Sequence, residues 1–373
     1  MGNLKDKVQK ILDLAEVKIN GNQPWDIKVH NYKFYARVLS EGSLGLGESY
    51  MDGWWDCESV DDFFYKILKA QLETKLSFIR LAPFYLKAKL INLQTIRRSR
   101  LVGKTHYDIG NELYKFMLDK RMVYTCGYWK NADNLDQAQE DKLDLVCRKI
   151  RLTKGMSVLD IGCGWGSFAK FAAEKYGVRV VGITVSEKQV KLARELCHGL
   201  DVEIKLQDYR NVKEKFDRVI SLGMFEHVGI KNHKTYMNMV ANALKKNGLS
   251  MLHTIGKNYS HDYTDPWIST YIFPNSVIPS AKHITSSSEK FFVIEDWHNF
   301  GMDYDKTLKE WRKNFINNWG MIKQSSSRYN ERFFRMWTYY LSCSMATFRV
   351  KKNHLWQIVF SKIGNENSYQ SIR

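Results

Sequence analysis

Residues 158–166 read VLDIGCGWG, an apolar run that carries one acidic residue and leads directly into a glycine-rich turn. Three similar β-branched runs occur further along the chain: VRVVGITV (178–185), DRVISLGM (217–224) and LSMLHTIG (249–256). Two segments with helical periodicity accompany them: SFAKFAAEKYG (167–177) and SEKQVKLARELC (186–197). Strands that alternate with helices of ten to fifteen residues predict βαβ units, and therefore an α/β fold with a parallel sheet.

The spacing of the glycines indicates which ligand the turn holds. A dinucleotide-binding fold uses G-x-G-x-x-G, whereas Gly162, Gly164 and Gly166 occupy every second position. A carboxylate such as Asp160 repels a pyrophosphate but attracts the ammonium group of a methionine moiety. The whole string resembles the first motif of class I S-adenosylmethionine-dependent methyltransferases, and the resemblance implies S-adenosylmethionine as the cofactor.

The chain has an excess of basic residues. It contains 57 lysines and arginines against 40 acidic residues, for a formal charge of +17, and 44% of its 373 residues are hydrophobic. Residues 303–373 alone carry 13 basic and 5 acidic side chains. This excess favours anionic partners, either nucleic acid or an anionic membrane surface. Solubility alone is an equally good explanation of the charge.

The cysteine pattern and the hydropathy of the chain indicate the cellular compartment in which the protein is expected. The cysteines are scattered without a Cys-x-x-Cys pair, which argues against a structural zinc site and a disulfide framework, and fits a reducing cytosol. No metal site is expected. The N-terminus lacks the apolar core of a signal peptide, and no run approaches the roughly 18 apolar residues that span a bilayer. Any membrane contact is therefore expected to be peripheral, at the surface of the bilayer.

The first hundred residues differ from the rest of the chain in their sequence pattern. Residues 4–19 place apolar side chains on one helical face, and residues 60–96 also have amphipathic helical periodicity. Between them EGSLGLGESYMDGWWD (41–56) contains four glycines, a density that indicates tight turns and a loop. The basic stretch 97–104 resembles an exposed connector, so we predict domains at 1–100 and 101–373.

Six motifs in sequence order carry a closer resemblance. They are EGSLGLGESYMDGWW, VGKTHYDIGNELY, YTCGYW, SLGMFEHVG, LHTIG with DPWISTYIFPN, and DWHNFGMDYDKTL. Together they resemble the bacterial cyclopropane-fatty-acyl-phospholipid synthases, relatives of the mycolic acid cyclopropane synthases, from about residue 5 to the C-terminus. The resemblance implies a Rossmann-like methyltransferase sheet of seven strands with helices on both faces, preceded by a smaller, mainly helical N-terminal domain.

The implied reaction transfers a methyl group from the sulfonium to a cis double bond of an acyl chain. The resulting carbocation then loses a proton from the new methyl group, and a cyclopropane ring closes. An alkene has no proton to lose before the attack, so a nucleophile-activating triad is unnecessary, and the sequence contains none. The chemistry instead needs an apolar tunnel, electron-rich walls and a base that acts late.

For this base the resemblance implies a bound bicarbonate. The matching residues are Cys126, Glu226, His253, the Ile255 backbone and Tyr304. Glu226 and His253 are suited to orient a small anion and to relay its proton, with the histidine supplying charge near neutral pH. A carboxylate does not tolerate a bare anion, so the O–H of bicarbonate should point to Glu226. Taken alone, Cys126 is equally compatible with an inert apolar role, and the Glu–His pair with a cap or salt bridge.

The resemblance also implies the cofactor-binding residues and the partners. The matching cofactor positions are Tyr124, Thr125, Asp160, Gly162, Gly164, Thr184, Gln189, Asp208 and Tyr209, with His106 and Tyr107 on a lid segment. The implied substrates are unsaturated phospholipids at an anionic membrane surface, and the implied assembly is a homodimer. The expected location is the cytoplasm, with peripheral association at the inner face of the cytoplasmic membrane.

Aromatic side chains are dense around the motifs, at Tyr124, Tyr128, Trp129, Trp267, Tyr271, Phe273, Trp297 and Tyr304. Core packing is the favoured interpretation for most of them. Ring faces also stabilise a transient cation or a sulfonium by about 1 kcal/mol each.

Three other functions compete with this interpretation. A nucleic acid methyltransferase would fit the positive charge, but SLGMFEHVG stands where amino-methylating DNA enzymes carry a (D/N)PP(Y/F) turn, and no nucleic-acid-binding module is recognisable. We therefore expect no nucleic acid partner. A small-molecule N- or O-methyltransferase would need neither the basic C-terminus nor residues 41–56. A non-catalytic lipid-binding protein would have no use for Cys126, Glu226, His253 and Tyr304.

Overall fold

A computed structural model describes residues 4–72 and 110–373 of the chain. Contacts divide the chain into two compact units. The first, which we call the helical unit, comprises Met1–Ile91, Tyr263–Pro274 and Tyr304–Asn353. The second, the sheet unit, comprises Asn92–Asp262, Asn275–Asp303 and His354–Arg373.

The predicted C-terminal domain includes residues 263–274 and 304–353, but the structure groups them with the N-terminal segment. The predicted boundary near residue 100, the connector 97–104 and the lid residues His106 and Tyr107 lie outside the described residues. The functional division at 1–100 and 101–373 stays a prediction.

The elements are numbered along the described residues. The helices are α1 Leu4–Asp13, α2 Lys33–Glu41, α3 Ser43–Met51, α4 Val60–Lys69, α5 Asn111–Met117, α6 Leu135–Lys149, α7 Ser167–Tyr176, α8 Glu187–Leu196, α9 His233–Ala243, α10 Pro266–Tyr271, α11 Ala281–Ser288, α12 Met302–Asn317, α13 Trp319–Ser325 and α14 Glu331–Arg349. The strands are β1 Lys28–Val29, β2 Trp55–Asp56, β3 Ser157–Ile161, β4 Arg179–Thr184, β5 Val202–Leu206, β6 Phe216–Leu222, β7 Leu244–Gly256, β8 Phe292–Asn299 and β9 His354–Lys362.

The sheet unit is built on seven strands in the order β5-β4-β3-β6-β7-β9-β8. Strands β3 to β7 are parallel, and β9 lies antiparallel between β7 and β8. The predicted mainly parallel sheet of seven strands is confirmed. The strand order reverses between β3 and β6, and in open α/β sheets a ligand crevice forms at this point, outside the carboxyl ends of the strands.

The alternation of side chains along each strand explains why both faces of the sheet are covered. Val158 of β3 lies in a buried cluster with residues of α6 and α7, including Val146 and Phe168. Its neighbour Leu159 points to the opposite face and lies in a cluster with residues of α9, including Val240. Successive strand residues point to opposite faces, so an apolar run without alternation requires helices on both sides, as predicted.

Residues 41–56 form helix and not the predicted loop. They contribute the end of α2, all of α3 and the short strand β2. Within α3 the glycines permit close packing inside the helical unit: a Cβ on Gly45 would lie 2.6 Å from the Arg37 carbonyl oxygen, and one on Gly47 would lie 2.3 Å from the Trp267 ring. The prediction was wrong because glycine also serves where two elements approach closely.

A network of charges joins three helices of the helical unit. Arg349 of α14 binds Asp61 and Asp62 of α4 and Asp305 of α12, with distances of 2.9–3.1 Å. Arg312 of α12 also binds Asp61 at 2.8 Å. Burial would raise the pKa of Asp61, but the two guanidinium groups hold it below its ordinary value. No helix of the described residues is long and apolar enough to span a bilayer.

Candidate active site

The glycine turn after β3 forms a cradle at the carboxyl edge of the sheet. Gly162, Gly164 and Gly166 have φ angles of +78°, +56° and +82°, a region that side chains other than glycine rarely adopt. A Cβ on Gly162 would lie 2.6 Å from the Met224 side chain, whereas the same position on Gly164 faces open space. The turn therefore exposes its backbone to a ligand and leads at Gly166 into α7.

Asp160 lies at the floor of this cradle. Its side chain is 2% exposed, and its Oδ2 atom has no hydrogen-bond partner among residues 4–72 and 110–373. Burial raises the pKa of this carboxyl to about 7, opposed by the charge of Lys142. A buried carboxylate without a partner is costly, so the position fits a cationic ligand group.

The other predicted cofactor residues follow β4 and β5 at the same edge. The Thr184 hydroxyl donates to Gln189 Oε1 at 2.8 Å, and the Ser186 side chain caps the helix that carries Gln189. Asp208 accepts a hydrogen bond from the Arg210 amide at 2.9 Å, and the Arg210 guanidinium lies 5.0 Å from the Tyr209 ring. The carboxyl ends of the adjacent strands β3, β4 and β5 therefore lie at one edge of the sheet, and the roles of these residues in cofactor binding stay a prediction.

Tyr124 and Thr125 form a loop that α6 holds in place. The fully buried Lys142 donates from Nζ to the Thr125 hydroxyl at 2.8 Å, and the equally buried Gln139 donates to the Thr125 carbonyl at 2.7 Å. Burial lowers the pKa of Lys142 to about 8, opposed by Asp119, Cys126 and Asp160. This support was not predicted from the sequence, although the three-residue spacing of Gln139 and Lys142 puts both on one helical face.

This residue set fits S-adenosylmethionine. Asp160 is available for the ammonium group, the glycine turn leaves room for close approach of the methionine moiety, and the Asp208–Tyr209 segment is available for the adenosine. Lys142 balances the charge of Asp160 from the helix side. The fit rests on the unpartnered Asp160 Oδ2 and on the open space at Gly164.

Glu226 lies in the 3₁₀ turn Phe225–His227 that follows β6. Its Oε1 atom accepts a hydrogen bond from the Ile255 amide at 2.7 Å, while its Oε2 atom is buried without a partner among the described residues. Burial raises the pKa of Glu226 to about 7, opposed mainly by the Ile255 amide. Near neutral pH this carboxyl is therefore able to hold or to release a proton.

His253 lies on β7 and is 1% exposed. Burial lowers the pKa of its imidazole well below 6.5, and the charges of Lys142 and Lys149 lower it further. The expectation that this histidine supplies positive charge near neutral pH is therefore wrong: it is neutral there. Its Nε2 atom is buried and has no partner in the described part of the chain, so it is available to a ligand.

Two close approaches at Gly223 explain how these segments converge. The Gly223 amide, three residues before Glu226, donates to the His253 carbonyl at 2.8 Å. A Cβ on Gly223 would lie 2.6 Å from the Thr125 side chain, which places the residue before Cys126 beside the same turn. Cys126 itself is fully buried, and its thiol donates to the Gly127 carbonyl at 3.1 Å.

The predicted fifth residue of the anion site belongs to the other unit. Tyr304 lies near the start of α12 in the helical unit, where its ring stacks on Phe348 with centroids 4.5 Å apart. Cys126, Glu226, His253 and Ile255 all belong to the sheet unit. The assignment of all five residues to one anion stays a prediction.

The aromatic side chains divide between the two units. In the sheet unit the ring of Phe300 lies 5.3 Å from that of Tyr128 and 6.1 Å from the imidazole of His253. Phe300 therefore lies near one residue of the candidate anion site, His253. Trp267, by contrast, is fully buried against Tyr339 of the helical unit, with centroids 4.3 Å apart, which is the packing role favoured for most of the aromatic residues.

Comparisons with known proteins agree with this geometry. The profile of the mycolic acid cyclopropane synthetase family matches residues 94–358. The chain is 52% identical over 369 residues to the cyclopropane-fatty-acyl-phospholipid synthase of Escherichia coli (strain K12), a match that covers 98% of this chain and 94% of that protein.

Two solved structures are similar in fold. The cyclopropane synthase MmaA2 from Mycobacterium tuberculosis matches with a TM-score of 0.67 and 26% identity, covering 73% of this chain and 100% of that one. The mycolic acid cyclopropane synthase CmaA1, complexed with SAH and CTAB, matches with a TM-score of 0.63 and 29% identity, covering 70% and 97%. From the extent of these matches, the chain belongs to the mycolic acid cyclopropane synthetase family of S-adenosylmethionine-dependent methyltransferases.

Proposed function

We propose that the protein is a cyclopropane-fatty-acyl-phospholipid synthase that acts on cis double bonds of unsaturated acyl chains in membrane phospholipids, and that a bound bicarbonate is its late base. One observation carries the proposal. Beside the cofactor cradle, Glu226 and His253 each present a buried polar atom, Oε2 and Nε2, that no described residue satisfies. Buried polar atoms are normally paired, so this pair of atoms fits a small polar ligand.

The proposed reaction requires no covalent bond between the protein and the substrate. When bound, S-adenosylmethionine supplies the electrophilic methyl group and bicarbonate supplies the base. Asp160 would hold the cofactor through its ammonium group, and Glu226 Oε2 and His253 Nε2 would orient the small anion. Glu226, with a pKa of about 7, is suited to accept the O–H proton of bicarbonate when bicarbonate takes up the proton that leaves the new methyl group, while the C–H electron pair closes the ring.

Lipid analysis of an expressing host tests the proposed function. The host should make unsaturated phospholipids but no cyclopropane lipids, and it should gain one CH2 per converted double bond on expression of the chain. Upfield cyclopropane protons in the lipid NMR spectrum distinguish a ring from a methylene branch, which adds the same mass. An empty vector and the Gly162→Val variant are the controls. Unchanged lipids at good expression would contradict the proposal, and a branched product would restrict it to the methyl transfer.

The proposed membrane contact rests on a stripe of charge on α12. Lys306, Lys309 and Lys313 recur at helical spacing on one exposed face, and the exposed Ile316 continues the stripe. Each basic residue near an anionic surface contributes about 1 kcal/mol, an effect that fades within a Debye length of about 10 Å at 0.1 M salt. We propose that the chain associates peripherally with the anionic inner face of the cytoplasmic membrane through this stripe.

Reversal of these charges is expected to weaken vesicle binding. The triple variant Lys306→Glu/Lys309→Glu/Lys313→Glu should sediment with anionic phospholipid vesicles at least about 10²-fold more weakly at low salt, because about 3 kcal/mol of attraction is lost and the three new carboxylates add repulsion. The triple variant Lys213→Glu/Lys215→Glu/Lys246→Glu changes the net charge equally, at exposed positions of the sheet unit, and should bind almost as the wild type does. Equal losses in both variants would show that net charge alone drives binding.

The homodimer that the family resemblance implies is part of the same proposal. Sedimentation velocity of the purified chain distinguishes a monomer from a dimer.

A further inference from the structure

A row of side chains crosses four strands next to the candidate anion site. The strand register pairs Leu222 of β6 with His253 of β7, His253 with Gln357 of β9, and Gln357 with His298 of β8. Residues directly opposite each other on neighbouring strands share one face of the sheet. The fully buried Gln357 therefore stands between the two imidazoles.

Gln357 makes one hydrogen bond in this row. Its amide nitrogen lies 3.3 Å from His253 Nδ1. A carboxamide nitrogen only donates, so Nδ1 must accept, and the single proton of a neutral imidazole must then reside on Nε2. If the amide were rotated by half a turn, its oxygen would accept from Nδ1, and Nε2 would become a bare acceptor. The orientation of one amide thus decides whether His253 donates or accepts at its other nitrogen.

The charges around the row keep His253 neutral, so its state is one of the two neutral tautomers. The second proton of an imidazolium is disfavoured by burial and by Lys142 and Lys149. A bare Nε2 acceptor next to Glu226 would leave two acceptors and no donor for an anion. With the proton on Nε2, the site offers one donor, and the Glu226 carboxyl is free to share a proton.

We propose that Gln357 is a positioning residue. It takes no part in proton transfer itself, but it fixes the proton of His253 on Nε2, so that this nitrogen donates a hydrogen bond to a small oxyanion. The identity of that anion as bicarbonate rests on the proposed function. The assignment of the His253 tautomer does not depend on the proposed function. Gln357 reaches the reaction only through His253.

Nitrogen NMR of the full chain, labelled with ¹⁵N-histidine, measures the tautomer directly. The His253 signals are assigned by their loss in His253→Asn. In the wild type Nε2 should be protonated and Nδ1 bare throughout pH 6–8. Protonation of Nδ1 in the wild type would overturn the proposal, and this measurement needs no folded variant of Gln357.

The variant Gln357→Leu removes the amide while keeping similar volume. We expect a mixture of His253 tautomers and about tenfold weaker binding of ¹³C-bicarbonate, the usual effect of one lost hydrogen bond, with unchanged S-adenosylmethionine affinity. The control Ser361→Ala removes another buried polar group from β9, one bonded to Glu295, and should leave the His253 signals unchanged. A wild-type spectrum in Gln357→Leu would overturn the proposal.

The two proposals fail differently in this experiment. If the wild type holds the Nε2 proton but binds no bicarbonate, the positioning role stands and the bicarbonate model fails. If bicarbonate binds while Nδ1 carries the proton, the bicarbonate model stands and the role of Gln357 fails.

Discussion

Glu226→Gln is expected to reduce turnover by about 10²–10⁴-fold, the usual contribution of a general base, while S-adenosylmethionine affinity remains that of the wild type. Binding and rate should separate because the proposed cofactor contacts are Asp160 and the glycine turn, whereas Glu226 bonds to the Ile255 amide beside His253. Turnover is measured with unsaturated phospholipid vesicles in assays quenched at fixed times. Calorimetric titration measures the affinity for S-adenosylmethionine. Tyr304→Phe should show the same separation.

The pH dependence of this effect has a defined sign. Glu226 has a pKa raised to about 7, so its carboxyl gains a proton as the pH falls through 7 and can then no longer accept the O–H proton of bicarbonate. Turnover by the wild type should therefore fall below about pH 7. Glutamine does not titrate, so Glu226→Gln should lack this step. Added bicarbonate should stimulate depleted wild-type enzyme more than the variant.

Asp217→Asn is the matched control. Asp217 lies at the other end of β6, where it accepts hydrogen bonds from Ser157 and binds Lys245. The variant makes the same change of carboxylate to amide, at the end of β6 opposite to the turn that carries Glu226, but should turn over normally. If Glu226→Gln falls by less than tenfold, or if degassed enzyme is indifferent to bicarbonate, the deprotonation model is wrong. The methyltransferase assignment would survive, because it rests on the glycine turn and on the family.

The sequence predicted the elements whose patterns are local. Strands β3, β4, β6 and β7 were found because each is a continuous apolar run, and α7 and α8 because of their helical period. Strands β5, β8 and β9 were not located individually. In β5 and β8 exposed and buried positions are mixed, and β9 joins the sheet between β7 and β8, more than fifty residues after β8 along the chain. Their number was known only from the family resemblance.

The parts of the site that the sequence missed depend on contacts distant in sequence. Lys142 and Gln139 support Thr125 only because α6 packs on the sheet face that carries Asp160 and His253. Gln357 lies 104 residues from His253, and nothing in the motif around it distinguishes it from a surface glutamine. The charge of His253 was mispredicted for a related reason: its pKa follows from burial and from two buried lysines, and none of these is visible in the motif LHTIG.

Gly164→Ala is expected to weaken S-adenosylmethionine binding by roughly 5- to 150-fold, because a methyl group placed in an occupied site costs about 1–3 kcal/mol. The added Cβ faces open space in the protein alone, so it meets the cofactor and no protein atom. Gly162→Val should abolish binding by a second route, since its side chain would also collide with Met224. Calorimetric titration of the cofactor measures the losses.

Gly155→Ala separates cofactor contact from backbone strain. Gly155 has a φ of +85° and, like Gly164, no atom near the position of an added Cβ. It lies in the turn before β3, at the end opposite to the glycine cradle. Alanine at either position costs about 1–2 kcal/mol of stability through the left-handed backbone, so the two variants should melt at similar temperatures. Only Gly164→Ala should lose the cofactor. If both variants bind S-adenosylmethionine equally well, the cofactor does not approach the glycine turn, and its assignment to Asp160 and Gly164 must be abandoned.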